Sequence, residues 1–99
     1  MITLIAMYPK TETSTMDVDY YINTHAPMVA GHLGSSLLRA TVTTGADFGG
    51  PTPYSLVSML EIDSMESLGA AFGAHADEIM GDIPNFTNVQ PVMYVGSVA

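Results

Sequence analysis

Two different spacings of apolar residues alternate along the chain, and each predicts a different secondary structure. Short runs rich in β-forming residues predict strands at about 2–8, 37–44, 54–62 and 88–98. Between the first two runs the period changes, and apolar positions recur every three or four residues, as on one face of a helix spanning about 16–33. That stripe consists of Val18, Ile22, His25, Val29 and Leu33.

A second amphipathic helix is predicted after the third strand. Asp63 or Ser64 is expected to cap its first turn, because Asp63 and Glu66 have the spacing of a capping box. Its apolar stripe consists of Met65, Leu68, Phe72, His75, Ala76 and Ile79. The segment 45–53, GADFGGPTP, predicts an irregular loop with Phe48 as its apolar anchor. This loop is expected either to be an idle hairpin connection or to lie beside a pocket mouth.

The order of these elements is β-α-β-β-α-β. It predicts an α+β, ferredoxin-like domain that spans residues 1–99, with a four-stranded antiparallel sheet and both helices on one face. The strands carry large apolar residues on both faces: Leu4 and Tyr8 point one way, and Ile5 and Met7 the other. Because two helices can cover only one face, we expect a homodimer in which two sheets pack face to face.

Composition and charge limit the classes of partner that the protein is expected to bind. The 99 residues carry a net charge of -8, with Lys10 and Arg39 as the only fixed cations. This argues against binding to nucleic acid or to an anionic membrane surface, since both require basic patches. Arg39 is expected in an ion pair with Glu61 or Asp63. The apolar N-terminus is too short for a signal peptide or a membrane span, so a cytoplasmic protein is expected.

The stretch DYYINTHAPMV holds the strongest candidates for chemistry. A neutral imidazole among apolar neighbours can act as a general base, which makes His25 the first catalytic candidate. Tyr21 lies four residues earlier on the same flank, so a Tyr-His pair would suit a carbonyl or phenol oxygen. The alternatives remain open: His25 as a core histidine bonded to the backbone near Pro27, and Tyr21 as ordinary ring packing.

Residues within or beside the two helix stripes are the candidates to line a ligand pocket. They are Tyr20, Met28, Val29, His32, Phe72 and His75. A metal site is not predicted, because His25 and His32 are two turns apart and the chain has no His-x-x-x-His pair. A bound dinucleotide is not predicted either, because no glycine-rich strand-to-helix fingerprint is present.

Three segments together resemble the EthD family. DVDYYINTHAPMV is similar to its helix signature, AFGAHADEIMGDIPNFTNVQPVMYV to its second helix and last strand, and MITLIAMYPK to its first strand. The resemblance covers essentially the whole chain. It departs at Tyr21, where many relatives have Trp, which changes the size and hydrogen-bond reach of that aromatic wall.

The resemblance implies a dimeric α+β barrel with a pocket between sheet and helices. It leaves two classes of function open. One is a small cofactor-independent enzyme, such as an isomerase, a cyclase or a cofactor-free oxidoreductase, with His25 as acid or base. The other is a non-catalytic binding protein that supports a monooxygenase, as in ether degradation. The family's occasional "reductase" label also suggests an oxidoreductase, although no residue pattern here supports it.

Overall fold

The computed structural model describes all 99 residues and contains one sheet of four strands. The strands are β1 (Ile2–Pro9), β2 (Leu37–Thr44), β3 (Tyr54–Ile62) and β4 (Val92–Ser97). They run antiparallel in the order β2-β3-β1-β4. The predicted β-α-β-β-α-β order and the ferredoxin-like α+β fold are confirmed.

The predicted limits of β2 and β3 match the structure, whereas β4 begins later than predicted. Pro91 immediately precedes β4 and cannot donate a backbone hydrogen bond, so ladder pairing starts at Val92. β4 is an edge strand, as Pro91 suggested.

The first helical segment changes its winding in the middle. It consists of α1 (Val18–Tyr20), a π turn (Tyr21–His25) and α2 (Ala26–Leu33). Pro27, the second residue of α2, has no N–H, and the wide turn falls directly before that helix. The second segment, α3 (Met65–Gly81), is followed by a short 3₁₀ turn (Ile83–Asn85). None of these helices combines the length and the apolar character needed to cross a bilayer.

One residue of the predicted helix stripe does not face inward, because of the π turn. Because a π turn holds more residues than an α turn, Tyr21 rather than Ile22 shares the inward side with His25 and Val29. Ile22 is instead 48% exposed. On α3, Leu68 and Ile79 are buried as predicted, whereas two predicted stripe residues, Met65 and Ala76, are exposed.

The N-cap of α3 is Ser64, and the capping-box prediction for Asp63 and Glu66 is wrong. The Ser64 hydroxyl accepts a hydrogen bond from the backbone N–H of Ser67 at 3.1 Å. A serine at this position satisfies one of the amides that the first helical turn leaves without a partner.

The buried core between sheet and helices falls into two separate clusters. One consists of Ile2, Leu4, Val29, Leu33, Ile62, Leu68, Ala71 and Ile79. The other is richer in aromatic rings and consists of Tyr8, Tyr21, Leu56, Ile83 and Phe86. The space between them is where a gap in the packing opens, as described below.

The helix-free face of the sheet carries two rows of mostly apolar side chains. Register places Thr41, Met59, Ile5 and Tyr94 in one row and Thr43, Val57, Met7 and Val92 in the next. Met59, Val92 and Tyr94 are exposed. Arg39 faces Glu61 on this same side, but it forms no ion pair with Glu61 or with Asp63, contrary to expectation.

The β2–β3 loop is irregular, as predicted, but its one large apolar residue is not an anchor. Phe48 is 99% exposed and therefore anchors nothing within the chain. No residue of the loop lines the internal cavity, which agrees with the expected alternative of an idle hairpin connection.

We expect the open sheet face to be buried in a homodimer, because single exposed apolar residues are common but two contiguous rows are not. Obligate homodimer interfaces often exceed roughly 2,000 Å². Sedimentation equilibrium at micromolar concentration should give twice the chain mass of 10.5 kDa. Met59→Lys should shift this mass towards that of a single chain, because it places a charge inside the interface.

The matched control for this experiment is Ile22→Lys, which changes a similarly exposed apolar residue on the helical side. It should leave the dimer intact. A wild-type protein that sediments as a single chain would contradict the prediction.

Candidate active site

The π turn directs two functional side chains towards the sheet. Tyr21 and His25, at its two ends, are both buried. The wide turn is closed by a hydrogen bond from the Ala26 N–H to the Tyr21 carbonyl, five residues back. Single π turns inside helices occur frequently at functional sites, because they re-aim side chains that an α-helix would direct elsewhere.

Asp82 joins this turn to the C-terminal end of α3. Its Oδ2 lies 2.9 Å from Nδ1 of His25. Its Oδ1 accepts a hydrogen bond from the Tyr20 hydroxyl at 2.6 Å and another from the Asn85 side-chain amide at 3.0 Å. Three donors therefore surround one carboxylate, and they fix both its position and the plane of the His25 ring.

These hydrogen bonds favour the ionised form of the Asp82 carboxyl. Partial burial alone would raise the pKa of its carboxyl, but hydrogen bonds from Tyr20, Asn85 and His25 outweigh burial and hold the pKa below its usual value. Asp82 follows the last residue of α3, at the negative end of the helix dipole, where a carboxylate is normally disfavoured. The three donors compensate for that position.

An ionised Asp82 also determines the tautomer of a neutral His25. A carboxylate can only accept hydrogen bonds, so Nδ1 of His25 must be the donor. Nε2 then carries the lone pair. It forms no hydrogen bond with the protein, and His25 lines the internal cavity. In a neutral ring, the arrangement therefore leaves Nε2 unprotonated on a residue that lines the cavity.

Aromatic rings surround the imidazole. The ring centre of His25 lies 4.7 Å from that of Phe86 and 5.1 Å from that of Tyr21. Tyr8 completes the group, with edge-to-face contacts to Tyr21 at 5.8 Å and to Phe86 at 5.6 Å. Edge-to-face pairs at these distances are favourable and hold the rings in defined orientations.

The phenols of this group remain protonated. Burial raises the pKa of Tyr8, and the neighbouring Tyr21 raises it further. Burial also raises the pKa of Tyr21, although hydrogen bonds with Ser58 and Tyr8 act against it. The hydrogen bond to Asp82 is the main cause that raises the pKa of Tyr20. Tyr8 and Tyr21 line the cavity, so their hydroxyls can donate hydrogen bonds to a ligand but are poor bases, whereas the Tyr20 hydroxyl already donates to Asp82.

A cavity of about 70 Å³ lies between the two core clusters. Its floor is the helix-facing side of the sheet, where Ala6 and Ser58 pair across the two central strands and leave room because both are small. Its roof includes His25 and Val29 from the first helical segment and Phe72 from α3. Of nineteen lining residues sixteen are hydrophobic, and the other three are His25, Ser58 and Pro91.

The predicted site residues are divided between four places. Tyr21, His25, Val29 and Phe72 line the cavity. Tyr20 lies beside it and binds Asp82, while Met28 lines a shallow surface depression at the end of α3. His32 and His75 do not line the cavity. They meet each other between α2 and α3, with Glu78 beside them, and form the chain's one group of metal-ligand type.

Sequence reasoning missed four residues of the site: Tyr8, Ser58, Asp82 and Phe86. One local signal could have identified Asp82, which is an acidic residue at the wrong end of a predicted helix. Small residues facing the helices in otherwise bulky strands, at Ala6 and Ser58, were a second signal. Phe86 carries no comparable signal, because a single aromatic residue after a helix is ordinary.

No family model matches the chain, and no curated protein matches it either. Solved structures do match it. An EthD-like protein from Ralstonia eutropha JMP134 is 37% identical, with a TM-score of 0.87, and the alignment covers 98% of this chain and 90% of that one. An EthD family protein from Bacillus halodurans C-125 is 24% identical, with a TM-score of 0.69, and covers 100% and 99%.

A more distant match is SnoaB, a cofactor-independent oxygenase from Streptomyces nogalater. It is 10% identical, with a TM-score of 0.60, over 98% of this chain and 91% of that one. At this identity the likeness concerns the fold alone. The Ralstonia match is different, because its identity extends over nearly the full length of both proteins, and the chain therefore belongs to the EthD family.

Proposed function

We propose that this protein is a small enzyme that needs no bound cofactor and acts on a small apolar aromatic or carbonyl compound, with His25 as its acid–base residue. One observation carries the proposal: an imidazole oriented by a carboxylate faces a cavity that is otherwise almost entirely apolar. Burying a polar atom without a hydrogen-bond partner costs stability, and Nε2 of His25 has no such partner within the chain.

The chemistry follows from the orientation of the ring. Nε2 of His25 takes a proton from a phenol hydroxyl or from a carbon next to a carbonyl. Asp82 stabilises the imidazolium that forms, and it keeps Nδ1 protonated throughout. The proton then returns to another atom of the same compound, which yields an isomer. Tyr20 and Asn85 act as positioning residues, because they hold Asp82 and do not reach the cavity.

The lining suggests the size and type of the substrate. Ser58 and the Tyr21 hydroxyl are the groups placed to bind a carbonyl or phenol oxygen, while the remaining walls suit a ring. A cavity of about 70 Å³ is smaller than the ~150 Å³ that accommodates benzene in an engineered core. A ring-sized substrate therefore requires movement of flexible lining residues, for which Met80 and Met93 are suited.

A second candidate is a non-catalytic protein that binds an apolar metabolite and presents it to a monooxygenase. The same lining favours it, because only one acid–base group is present among nineteen residues. Turnover separates the two candidates. The binding protein would hold phenols, quinols or lactones without converting them, and replacing His25 would leave that binding almost unchanged.

We expect His25→Asn to abolish turnover and to cost little stability. General acid–base catalysis contributes roughly 10²–10⁴-fold, so activity in a screen of phenols, quinols and lactones should fall by at least about a hundredfold. One hydrogen bond to Asp82 is lost, while those from Tyr20 and Asn85 remain. The expected loss is about 1 kcal/mol, which is ~4–8 °C in the thermal midpoint of a domain of this size.

The control for His25→Asn is Ile22→Asn, which introduces the same side chain on the outward side of the same segment. It should preserve turnover. A His25→Asn variant that loses much more stability than this and still converts or binds the same compounds would show that the histidine serves the fold.

We also expect Asp82 to govern part of the acid stability. Because the pKa of Asp82 is lowered on folding, its stabilisation is complete above its unfolded pKa, about 3.9, and is lost as pH falls through the lower folded value. Asp82→Asn should therefore lower the thermal midpoint near pH 7, by about 1–3 kcal/mol in stability. The difference from the wild type should shrink below about pH 4.

Thermal unfolding followed by circular dichroism between pH 2.5 and 7 provides the measurement. Asp77→Asn, which removes an exposed carboxylate from the same helix, should leave the acid profile almost unchanged. A constant difference between wild type and Asp82→Asn across the whole range would contradict an ionised, hydrogen-bonded Asp82.

A further inference from the structure

Three side chains of ligand type converge between α2 and α3, away from the cavity. They are His32 of α2 and His75 and Glu78 of α3, and each offers one ligand atom within 4.8 Å of the others. The two imidazole rings stack face to face, with centres 3.7 Å apart and planes 8° from parallel. The chain has only three histidines, and two of them are in this contact.

Packing alone does not account for this stack. Aromatic rings prefer offset or edge-to-face contacts over a parallel sandwich. Nε2 of His32 is buried and forms no hydrogen bond. It lies 3.1 Å from Oε2 of Glu78, but the carboxylate is poorly aligned with the ring nitrogen for proton sharing. A buried nitrogen without a partner normally costs stability, which points to a missing ligand.

The backbone of α3 departs from helical geometry at the histidine itself. His75 has φ −125° and ψ 17° inside a helix of seventeen residues. Glu78 follows three residues later, one turn further along the same helix. The distortion and the spacing together place both α3 side chains against His32 on the neighbouring helix.

We propose that His32, His75 and Glu78 bind a divalent transition-metal ion, with Zn²⁺ as the reference ion. Two imidazole nitrogens and one carboxylate oxygen are a known zinc ligand set, which leaves a fourth position for water. A histidine and a carboxylate three residues apart lie on the same face of a helix, so both can reach one ion that a facing helix also binds. The Glu78 side chain is 56% exposed, which gives the ion a route from solvent.

Binding requires a modest rearrangement of side chains. Ligand atoms at about 2.0–2.2 Å from zinc in a tetrahedron lie roughly 3.3–3.6 Å from one another. The present spread of up to 4.8 Å must therefore contract, and the stacked rings must turn about their side-chain bonds so that both lone pairs converge. The negative net charge of the chain, -8, favours the approach of a cation.

The ion would join the two helices that roof the cavity. Val29 lies one turn before His32, and Phe72 one turn before His75, and both line the cavity. A bound ion would therefore connect α2 to α3. This proposal does not depend on the catalytic role proposed for His25.

The test uses untagged full-length protein, freed of metal with EDTA and titrated with ZnCl₂ by calorimetry. One ion should bind per chain. Co²⁺ in place of Zn²⁺ should give visible absorption bands of the intensity typical of four-coordinate cobalt. His32→Gln and His75→Gln should each weaken Zn²⁺ binding at least about a hundredfold, and Glu78→Gln about tenfold. Glu78→Gln alters an exposed side chain, so it remains informative if a histidine variant fails to fold.

Two matched variants serve as controls. Asp77→Asn removes the same charge from the adjacent position of α3, and His25→Asn removes the one histidine outside the cluster. Both should bind Zn²⁺ like the wild type. The proposal is overturned if the wild type shows no saturable binding, if binding persists in Glu78→Gln and His75→Gln, or if Asp77→Asn weakens it as much as Glu78→Gln does.

Discussion

The contact between the Asp82 carboxylate and the His25 ring is the interaction on which the candidate site depends. It connects the end of α3 to the π turn of the first helical segment, two parts of the chain separated by 57 positions. Tyr20 and Asn85 hold the carboxylate from the other side. Without this network, neither the direction of the ring nor its tautomer would be defined.

The cavity follows from how the sheet and the helices divide the core. Bulky residues pack into two clusters, and small residues on the central strands separate them. The first helical segment widens at the π turn, and His25 at the end of that turn lines the cavity together with Ser58 and Ala6. The π turn that interrupts the α-helix thus also brings the His25 imidazole to the cavity wall. Functional sites are often the places where local sequence patterns fail to predict the structure.

The sequence predicts most of the architecture because its strand signals are local. The β-branched run at 37–44 and the alternating run at 54–62 coincide with β2 and β3, since residue type and period agree there. The prediction for Ile22 is wrong because periodicity assumes α winding, and a single π turn is enough to exchange the inward position with Tyr21.

The site itself was only half predictable. His25 and Tyr21 follow from a helix stripe and from the family resemblance, both of which are properties of neighbouring residues. Asp82 has a local signal as an acidic residue at the C-terminal end of a helix, but its contact with His25 crosses the fold, as does the contact of His32 with His75 on different helices. Spacing along one helix therefore could not reveal either cluster.

The tautomer of His25 tests the central claim most directly. Nitrogen-detected NMR of ¹⁵N-histidine-labelled protein, recorded at a pH where the ring is neutral, assigns the proton to one ring nitrogen. We expect a proton on Nδ1, bonded to Asp82, and a bare Nε2; in Asp82→Asn this preference should weaken or reverse. A wild-type ring protonated on Nε2, or one unaffected by the loss of the Asp82 carboxylate, would contradict it.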